Sequence, residues 1–210
     1  MAERTQAEQA YNELSHRILI LEIPPGERIV EEFWADKLKV NRSAIREALT
    51  RLLGEGLVRQ GERGGFFVAE MSDSDVHQLR EMREILETAA FQLACDRATP
   101  TQISELAETI DDFASFVRKG YFTAAHEADL RFHHLLMAAA GNARLVQLYE
   151  RSRIPLFHRK VTRSRAEPEE FSLTEKEHRA ILAALKKRDK RGGVEQLKVH
   201  FNRGETEALE

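Results

Sequence analysis

The residues that break regular secondary structure are unevenly distributed along this chain, and this distribution constrains its fold most strongly. Glycine and proline cluster at residues 24–26 and again at 54–65, and few breakers follow. Helical patterning dominates from Ser72 onward, and Ser72 is itself a suitable N-cap for a long helix. The change in composition therefore predicts two domains, one over 1–70 and an all-helical one over 71–210.

The first domain shows the pattern of a winged helix-turn-helix. Apolar residues recur at helical spacing before the breakers at 24–26, and two further short helical segments are joined by a tight turn at 39–41. Two short apolar runs follow, separated by a segment rich in glycine and charge, which is typical of a two-stranded wing. The predicted elements are helices at 7–21, 31–38 and 43–53 and strands at 28–30, 56–59 and 66–69.

The charge of the chain is segregated in a way that its overall balance hides. Lysine and arginine number 32 against 35 aspartates and glutamates, a net charge of −3, which alone argues against a nucleic-acid-binding protein. Segment 39–63, however, carries six basic residues and only three acidic ones. Because this segment covers the second helix of the predicted motif and most of the wing, a small basic strip lies within a neutral domain.

The candidates for DNA contact lie at the start of that second helix and at the tip of the wing. Arginine can donate two hydrogen bonds to guanine, while asparagine and serine can reach phosphates or base edges. Glycine lets the backbone of a wing approach sugar and phosphate closely. Any single arginine here fits a solvated face equally well, so the whole arrangement carries the prediction. The predicted DNA-contacting residues are Asn41, Arg42, Ser43 and Arg46 in the helix and Arg63, Gly64 and Gly65 in the wing.

The order of these motifs resembles the DNA-binding signature of the GntR family of bacterial transcription regulators. The resemblance implies a double-stranded DNA operator as partner, contacted by the helix and wing residues named above. The family usually has glycine in the turn, at the position that Lys39 occupies. The matching motifs are Pro-Gly-Glu-Arg-Ile at 25–29, Val-Asn-Arg-Ser-Ala-Ile-Arg-Glu-Ala-Leu at 40–49, Gly-Leu-Val at 56–58 and Arg-Gly-Gly-Phe-Phe-Val at 63–68.

The second domain is predicted to be an all-helical bundle, so polar residues on its apolar helix faces are the informative ones. Asp129 and His133 are four apart, which places both on one helix face. His178 and His200 lie on or beside the apolar faces of two later helices. A single histidine in such a position is more commonly a hydrogen-bonded core residue, but one divalent metal ion would satisfy all four groups. The predicted helices span 73–97, 101–118, 121–140, 142–163, 173–188 and 191–205.

This second segment resembles the helical, FCD-type effector domain of the FadR-like branch of the GntR family. Many members of that branch bind a metal ion through one aspartate and three histidines. The resemblance therefore implies Asp129, His133, His178 and His200 as metal ligands. Zinc is the first expectation, and nickel or manganese remain open because such sites accept several divalent ions. The motifs that carry the resemblance are Asp129-x-x-Phe132-His133, the helix break at Gly141-Asn142, Glu177-His178 and the late His200.

Arg83 is a charged residue on the apolar face of the first helix of this domain. It either pairs with Glu87, four residues further on, or binds an anionic ligand, because a guanidinium matches a carboxylate in two hydrogen bonds. In the family a small organic acid commonly occupies the pocket beside the metal. The resemblance thus favours Arg83 as the anchor of a small carboxylate effector.

The predicted function is that of a ligand-responsive transcription regulator, acting as a homodimer on a palindromic operator, rather than an enzyme. Two alternatives stay open: a metal-sensing repressor, and a metalloenzyme whose Asp/His site activates water. A cytoplasmic protein with no membrane partner is expected. The longest uncharged apolar stretch, 135–141, is far shorter than the roughly 20 residues that cross a bilayer, and the single cysteine excludes an internal disulfide.

Overall fold

The computed structural model describes residues 5–20, 22–70, 72–152 and 168–209, with the backbone alone at 168–170 and 207–209. Contacts within the chain divide it into two units, Met1–Met71 and Ser72–Glu210. Within the described ranges, no helix is both long and apolar enough to span a membrane.

The first unit is a winged helix-turn-helix, which confirms this part of the predicted fold. Its three strands, β1 (Arg28–Ile29), β2 (Val58–Gln60) and β3 (Phe66–Val68), form one antiparallel sheet in the order β1-β3-β2. Strand β2 starts two residues later than predicted. The backbone N–H of Leu57 donates to the carbonyl of Leu52 (3.0 Å), so residue 57 still belongs to the end of the preceding helix. The elements are α1 (Gln6–Leu19), β1 (Arg28–Ile29), α2 (Glu31–Leu38), α3 (Arg42–Gly54), β2 (Val58–Gln60) and β3 (Phe66–Val68).

Helix α3 is held in place by the core of this unit. Leu14 of α1 and Ile45 and Leu49 of α3 are fully buried, and the strand residues Val58 and Val68 close the core from the side of the wing. Burying each such side chain contributes about 1.5–3 kcal/mol relative to leaving it exposed. The apolar face of α3 is thereby fixed, and its opposite face is left to solvent.

The turn between α2 and α3 takes the left-handed conformation even though a lysine stands there. Lys39 has φ +55°, and the next residue, Val40, donates its N–H to the carbonyl of Ala35 (3.1 Å). A left-handed L-residue costs roughly 1–2 kcal/mol, a cost that glycine avoids. Asn41 then caps α3, since its Oδ1 accepts from the N–H of Ala44 (2.8 Å).

The second unit is all-helical in its described part, as predicted. Ser72 begins its first helix with a capping box to Asp75, and Thr99 begins the second in the same way. The part of the predicted helix 142–163 beyond residue 152 lies outside the described residues, and the predicted helix 173–188 starts five residues earlier. The helices are α4 (Asp73–Arg97), α5 (Pro100–Arg118), α6 (Phe122–Ala139), α7 (Ala143–Arg151), α8 (Pro168–Lys186) and α9 (Lys190–Leu209).

Five of these helices share one core, and α4 and α9 approach each other closely in it. Phe91 of α4 is fully buried together with Phe132 of α6 and Leu197 of α9. The ring of Phe91 lies against the backbone of Gly193 in α9, so near that a Cβ added there would stand 1.9 Å from the ring. The bundle therefore depends on glycine at this crossing.

Candidate metal centre and nucleic-acid interface

Three helices of the bundle bring the four predicted metal ligands together. Asp129 and His133 lie one turn apart on α6, His178 lies on α8 and His200 on α9. All four are buried, with exposures between 0% and 7%. The helical spacing places the first pair, and the packing of α8 and α9 on α6 adds the other two.

Donor atoms of all four side chains converge. The Nε2 atoms of His133 and His200 are 3.3 Å apart, and Oδ1 of Asp129 lies 3.3 Å from Nε2 of His178 and 3.9 Å from Nε2 of His133. One ring nitrogen from each histidine falls within 4.8 Å of the others. This is a set of three imidazole nitrogens and one carboxylate oxygen.

Two carboxylates behind the histidines fix which ring nitrogen faces the centre. Nδ1 of His133 lies 2.6 Å from Glu87, and Nδ1 of His200 lies 2.7 Å from Glu177. A proton on each Nδ1 satisfies these carboxylates, so each Nε2 presents a lone pair inward. Carboxylate–histidine pairs of this kind orient histidine ligands and raise their basicity. Two Nε2 lone pairs facing each other at 3.3 Å call for a positive charge between them.

Burial keeps the histidines in the neutral form that binds metals. It lowers the pKa of His133 and His200, and that of His178 well below the usual value. Burial also disfavours the charged form of Asp129 and therefore raises its pKa. Among the described residues, Oδ1 of Asp129 and both ring nitrogens of His178 have no hydrogen-bond partner. Because unsatisfied buried polar atoms are costly, this donor set fits a divalent cation.

Arg83 pairs with Glu87, which was one of the two alternatives that the sequence left open. Its Nε donates to Oε1 of Glu87 (3.0 Å), and its guanidinium lies 4.9 Å from the ring centre of Phe201. Glu87 also accepts from the hydroxyl of Tyr149 (2.8 Å). Glu87 therefore links the guanidinium, a histidine of the centre and α7. This pairing does not test the predicted role of Arg83 as the anchor of an effector.

Glu87 and Glu177 were not predicted from the sequence as partners of the histidines. Glu87 is separated from His133 by 46 positions, and only helix packing joins them. Glu177 had a local signal, since it precedes His178, but its bond is to His200 and to Arg203. Burial raises the pKa of Glu177, yet these two hydrogen bonds outweigh it and bring that pKa to about 2.

The predicted DNA-contacting helix residues lie together at the start of α3. Arg42, Ser43 and Arg46 are exposed, the two arginine side chains by 62% and 63%. Asn41 is exposed as well, but its side chain is engaged: besides capping α3, its Nδ2 donates to Gln6 (2.8 Å). The arginines and the serine thus face solvent as a recognition surface requires, while Asn41 sets the start of the helix.

The tip of the wing is a tight loop of glycines with one exposed arginine. The N–H of Gly64 donates to the carbonyl of Gly61 (2.9 Å), and the N–H of Gly61 donates to that of Gly65 (3.0 Å). Gly64 and Gly65 have φ of +82° and +84°, which side chains rarely adopt. Arg63 and Gly64 are exposed, whereas Gly65 is half-buried. The loop therefore presents backbone and one guanidinium outward.

A winged helix-turn-helix followed by a helical unit with a buried polar centre defines a class of DNA-binding transcription regulators. Residues 6–68 match the family described as bacterial regulatory proteins, gntR family, and residues 78–203 match the FCD domain. The chain belongs to the GntR family of transcription regulators and carries an FCD domain. FCD domains are known to bind metals, and the three-histidine cluster lies within the matched range.

Several known proteins are similar to this chain over most of its length. The HTH-type transcriptional regulator YdhC of Bacillus subtilis is 28% identical over 195 residues, which cover 92% of this chain and 87% of YdhC. The solved structure of E. coli McbR/YncC has a TM-score of 0.88 at 23% identity and covers 99% of this chain and 98% of its own. The metal-free FCD domain of TM0439 has a TM-score of 0.53 at 23% identity, over 67% of this chain and 96% of its own. The two structures show a shared fold.

Proposed function

We propose that this transcription regulator holds a divalent metal ion through Asp129, His133, His178 and His200. Zinc is the first candidate, because it favours nitrogen and oxygen ligands in fourfold sets, and nickel and manganese are the alternatives. The observation that carries the proposal is the buried convergence of four donor atoms, two of which have no hydrogen-bond partner among the described residues. When bound, the ion supplies a fixed positive charge inside the bundle.

We propose further that a small organic acid binds beside this metal and is anchored by Arg83. Burial lowers the pKa of Arg83, but Glu87 and other negative neighbours outweigh this and raise it well above its usual value, so the group stays charged. Through Glu87, the guanidinium lies two hydrogen bonds from His133. A carboxylate held between arginine and metal would change operator affinity if it bound two conformations unequally.

The effector proposal is tested by the binding of small carboxylates to zinc-loaded protein. Acetate, succinate and citrate are screened by thermal shift, because a ligand of the native state raises the melting temperature. Replacing Arg83 by alanine is expected to weaken the best acid by about tenfold or more, the cost of losing one charge-assisted pair. Zinc stoichiometry in the same variant is the control, since Arg83→Ala also removes a partner of Glu87. Equal acid affinity in both proteins would remove the anchor role.

A metal-sensing repressor is the second candidate, and the burial of the centre favours it. The four proposed ligands expose at most 7% of their surface, which leaves little direct access for a second ligand. In that case operator affinity responds to zinc alone and is unchanged by every acid of the screen. The two candidates therefore differ in one titration, performed with zinc and with zinc plus acid.

We propose that the protein reads a palindromic operator as a homodimer, with α3 in the major groove and the wing against the minor groove. Regulators of this family are typically dimeric, and half-sites about one helical turn apart match a twofold protein. The exposed Arg42, Ser43 and Arg46 on one end of α3 support this orientation. Footprinting on an operator selected from random duplexes should show two symmetric half-sites.

Replacing Arg46 by alanine is expected to weaken operator binding about 5- to 150-fold, the range for loss of one base-contacting arginine. The reason is that its side chain is 63% exposed on the proposed reading face. Fluorescence anisotropy with the selected operator measures the effect. Arg51→Ala is the control, because Arg51 lies on the same helix but stacks on Tyr11 at 3.6 Å. If both variants bind the operator equally well, Arg46 is not a DNA contact.

A further inference from the structure

One carboxylate lies beneath the two arginines of the proposed reading face. Glu31 is the first residue of α2, and its side chain is 15% exposed. Its Oε2 accepts a hydrogen bond from Nε of Arg42 (2.9 Å) and another from Nε of Arg46 (2.8 Å). A single oxygen from α2 thus holds both arginines of α3.

The position of this carboxylate is itself fixed by the helix-turn-helix. Glu31 stands in the first turn of α2, where the helix dipole favours a negative charge. Burial raises the pKa of Glu31, but the hydrogen bonds from Arg42 and Arg46 lower it by more than burial raises it. The pKa of Glu31 therefore lies below its usual value. Glu31 therefore remains ionised near neutral pH.

These contacts leave the outer ends of both arginines available. Each guanidinium has five donors and gives only its Nε to Glu31, so this contact does not use the four Nη donors of either arginine, and the two side chains are 62% and 63% exposed. Arg42 and Arg46 are four residues apart on one helix face, and their like charges would otherwise push the side chains apart. Glu31 offsets that repulsion and restricts both side chains to one arrangement.

We propose that Glu31 is a positioning residue that sets how strictly the recognition helix distinguishes operator from other DNA. It orients Arg42 and Arg46 toward base edges, and its charge reduces their attraction to phosphates of any sequence. The inference rests on the proposed DNA contacts of these arginines. Sequence-independent affinity follows phosphate neutralisation, whereas discrimination follows the geometry of base contacts, so a residue that acts on both changes their ratio.

The test compares operator and scrambled duplexes for Glu31→Gln and for its neighbour control, Glu32→Gln. Both variants remove one charge from α2, but Glu32 is an exposed residue next to the contact. With Glu31→Gln, binding to the scrambled duplex is expected to strengthen several-fold. The ratio of the dissociation constant for the scrambled duplex to that for the operator is expected to fall about tenfold, within the range for loss of one base-contacting pair. With Glu32→Gln the ratio is expected to stay unchanged.

A third variant separates charge from position. Glu31→Asp keeps the charge but shortens the side chain by one methylene, so it is expected to lower the ratio while leaving scrambled-duplex affinity near wild type. Circular dichroism melts on all variants establish that each is folded before binding is measured. Anisotropy titrations across a range of salt concentrations supply the dissociation constants.

The inference and the proposed DNA contacts fail in different ways. A ratio unchanged in Glu31→Gln and Glu31→Asp, together with a loss of operator binding in Arg46→Ala, overturns the role of Glu31 alone. An unchanged ratio with no effect of Arg46→Ala overturns both. An equal fall of the ratio in the Glu32→Gln control also overturns the inference, because the effect then follows the charge of α2 in general.

Discussion

Replacing His178 by alanine is expected to abolish the rise in melting temperature that zinc produces in the wild-type protein. A ligand at one hundred times its dissociation constant stabilises the native state by about 2.7 kcal/mol, which corresponds to about 10 °C for a unit of this size. His178 provides one of the four donors, and its two ring nitrogens have no hydrogen-bond partner among the described residues. Differential scanning calorimetry of chelator-treated and zinc-loaded protein measures the rise in melting temperature for the wild type and for His178→Ala.

The readout is the shift on adding zinc, because the substitution also removes buried volume. His134→Ala is the matched control: His134 adjoins His133 on α6 but does not belong to the three-histidine cluster. It is expected to keep the full shift. Glu87→Gln is expected to fall between the two, with zinc affinity about 10- to 100-fold lower, since Glu87 orients His133 without joining the donor set. A full zinc shift in His178→Ala would contradict the proposed ligand set.

The architecture could be predicted from the sequence because its signals are local. The start of a helix is determined by a single capping side chain, as with Ser72 for α4 and Asn41 for α3. Helical periodicity then gives the faces that pack. The errors are at element ends, as at β2, where the backbone hydrogen bond from Leu57 to Leu52 keeps residue 57 at the end of α3 and delays the strand. Lys39 shows the same limit: the turn takes a left-handed conformation because the packing of α2 on α3 outweighs local preference.

The four residues of the candidate centre could be named from the sequence, but their convergence could not be derived from it. Asp129 and His133 share a face by spacing alone, but their distance to His178 and His200 depends on how α8 and α9 pack on α6. No pattern in the sequence indicated the contacts between residues that are far apart along the chain. Glu31 holds two arginines of the next helix, and Glu87 joins three elements of the bundle. Polar networks of this kind follow from packing, so they become visible only in three dimensions.

Replacing Gly193 by alanine is expected to destabilise the helical unit by about 3 kcal/mol, at the upper end of the usual cost of overpacking. An added Cβ would stand 1.9 Å and 2.1 Å from two ring atoms of Phe91, and this ring is fully buried in the shared core. The ring has no solvent-facing space to move into, so α4 and α9 must separate. Urea unfolding followed by circular dichroism measures the loss.

Gly204 provides the matched control, because it lies in the same helix with nothing within 4 Å of an added Cβ. Gly204→Ala should stabilise by about 0.5 kcal/mol through helix propensity alone. The double variant Gly193→Ala with Phe91→Leu should recover part of the loss, because the shorter side chain relieves the clash and the two changes are coupled. If Gly193→Ala instead stabilises as Gly204→Ala does, then propensity decides at this position and α4 and α9 do not cross in contact. Glycine disfavours a helix locally. Gly193 nevertheless lies within α9, because the ring of Phe91 on α4 occupies the space that a side chain at this position would need.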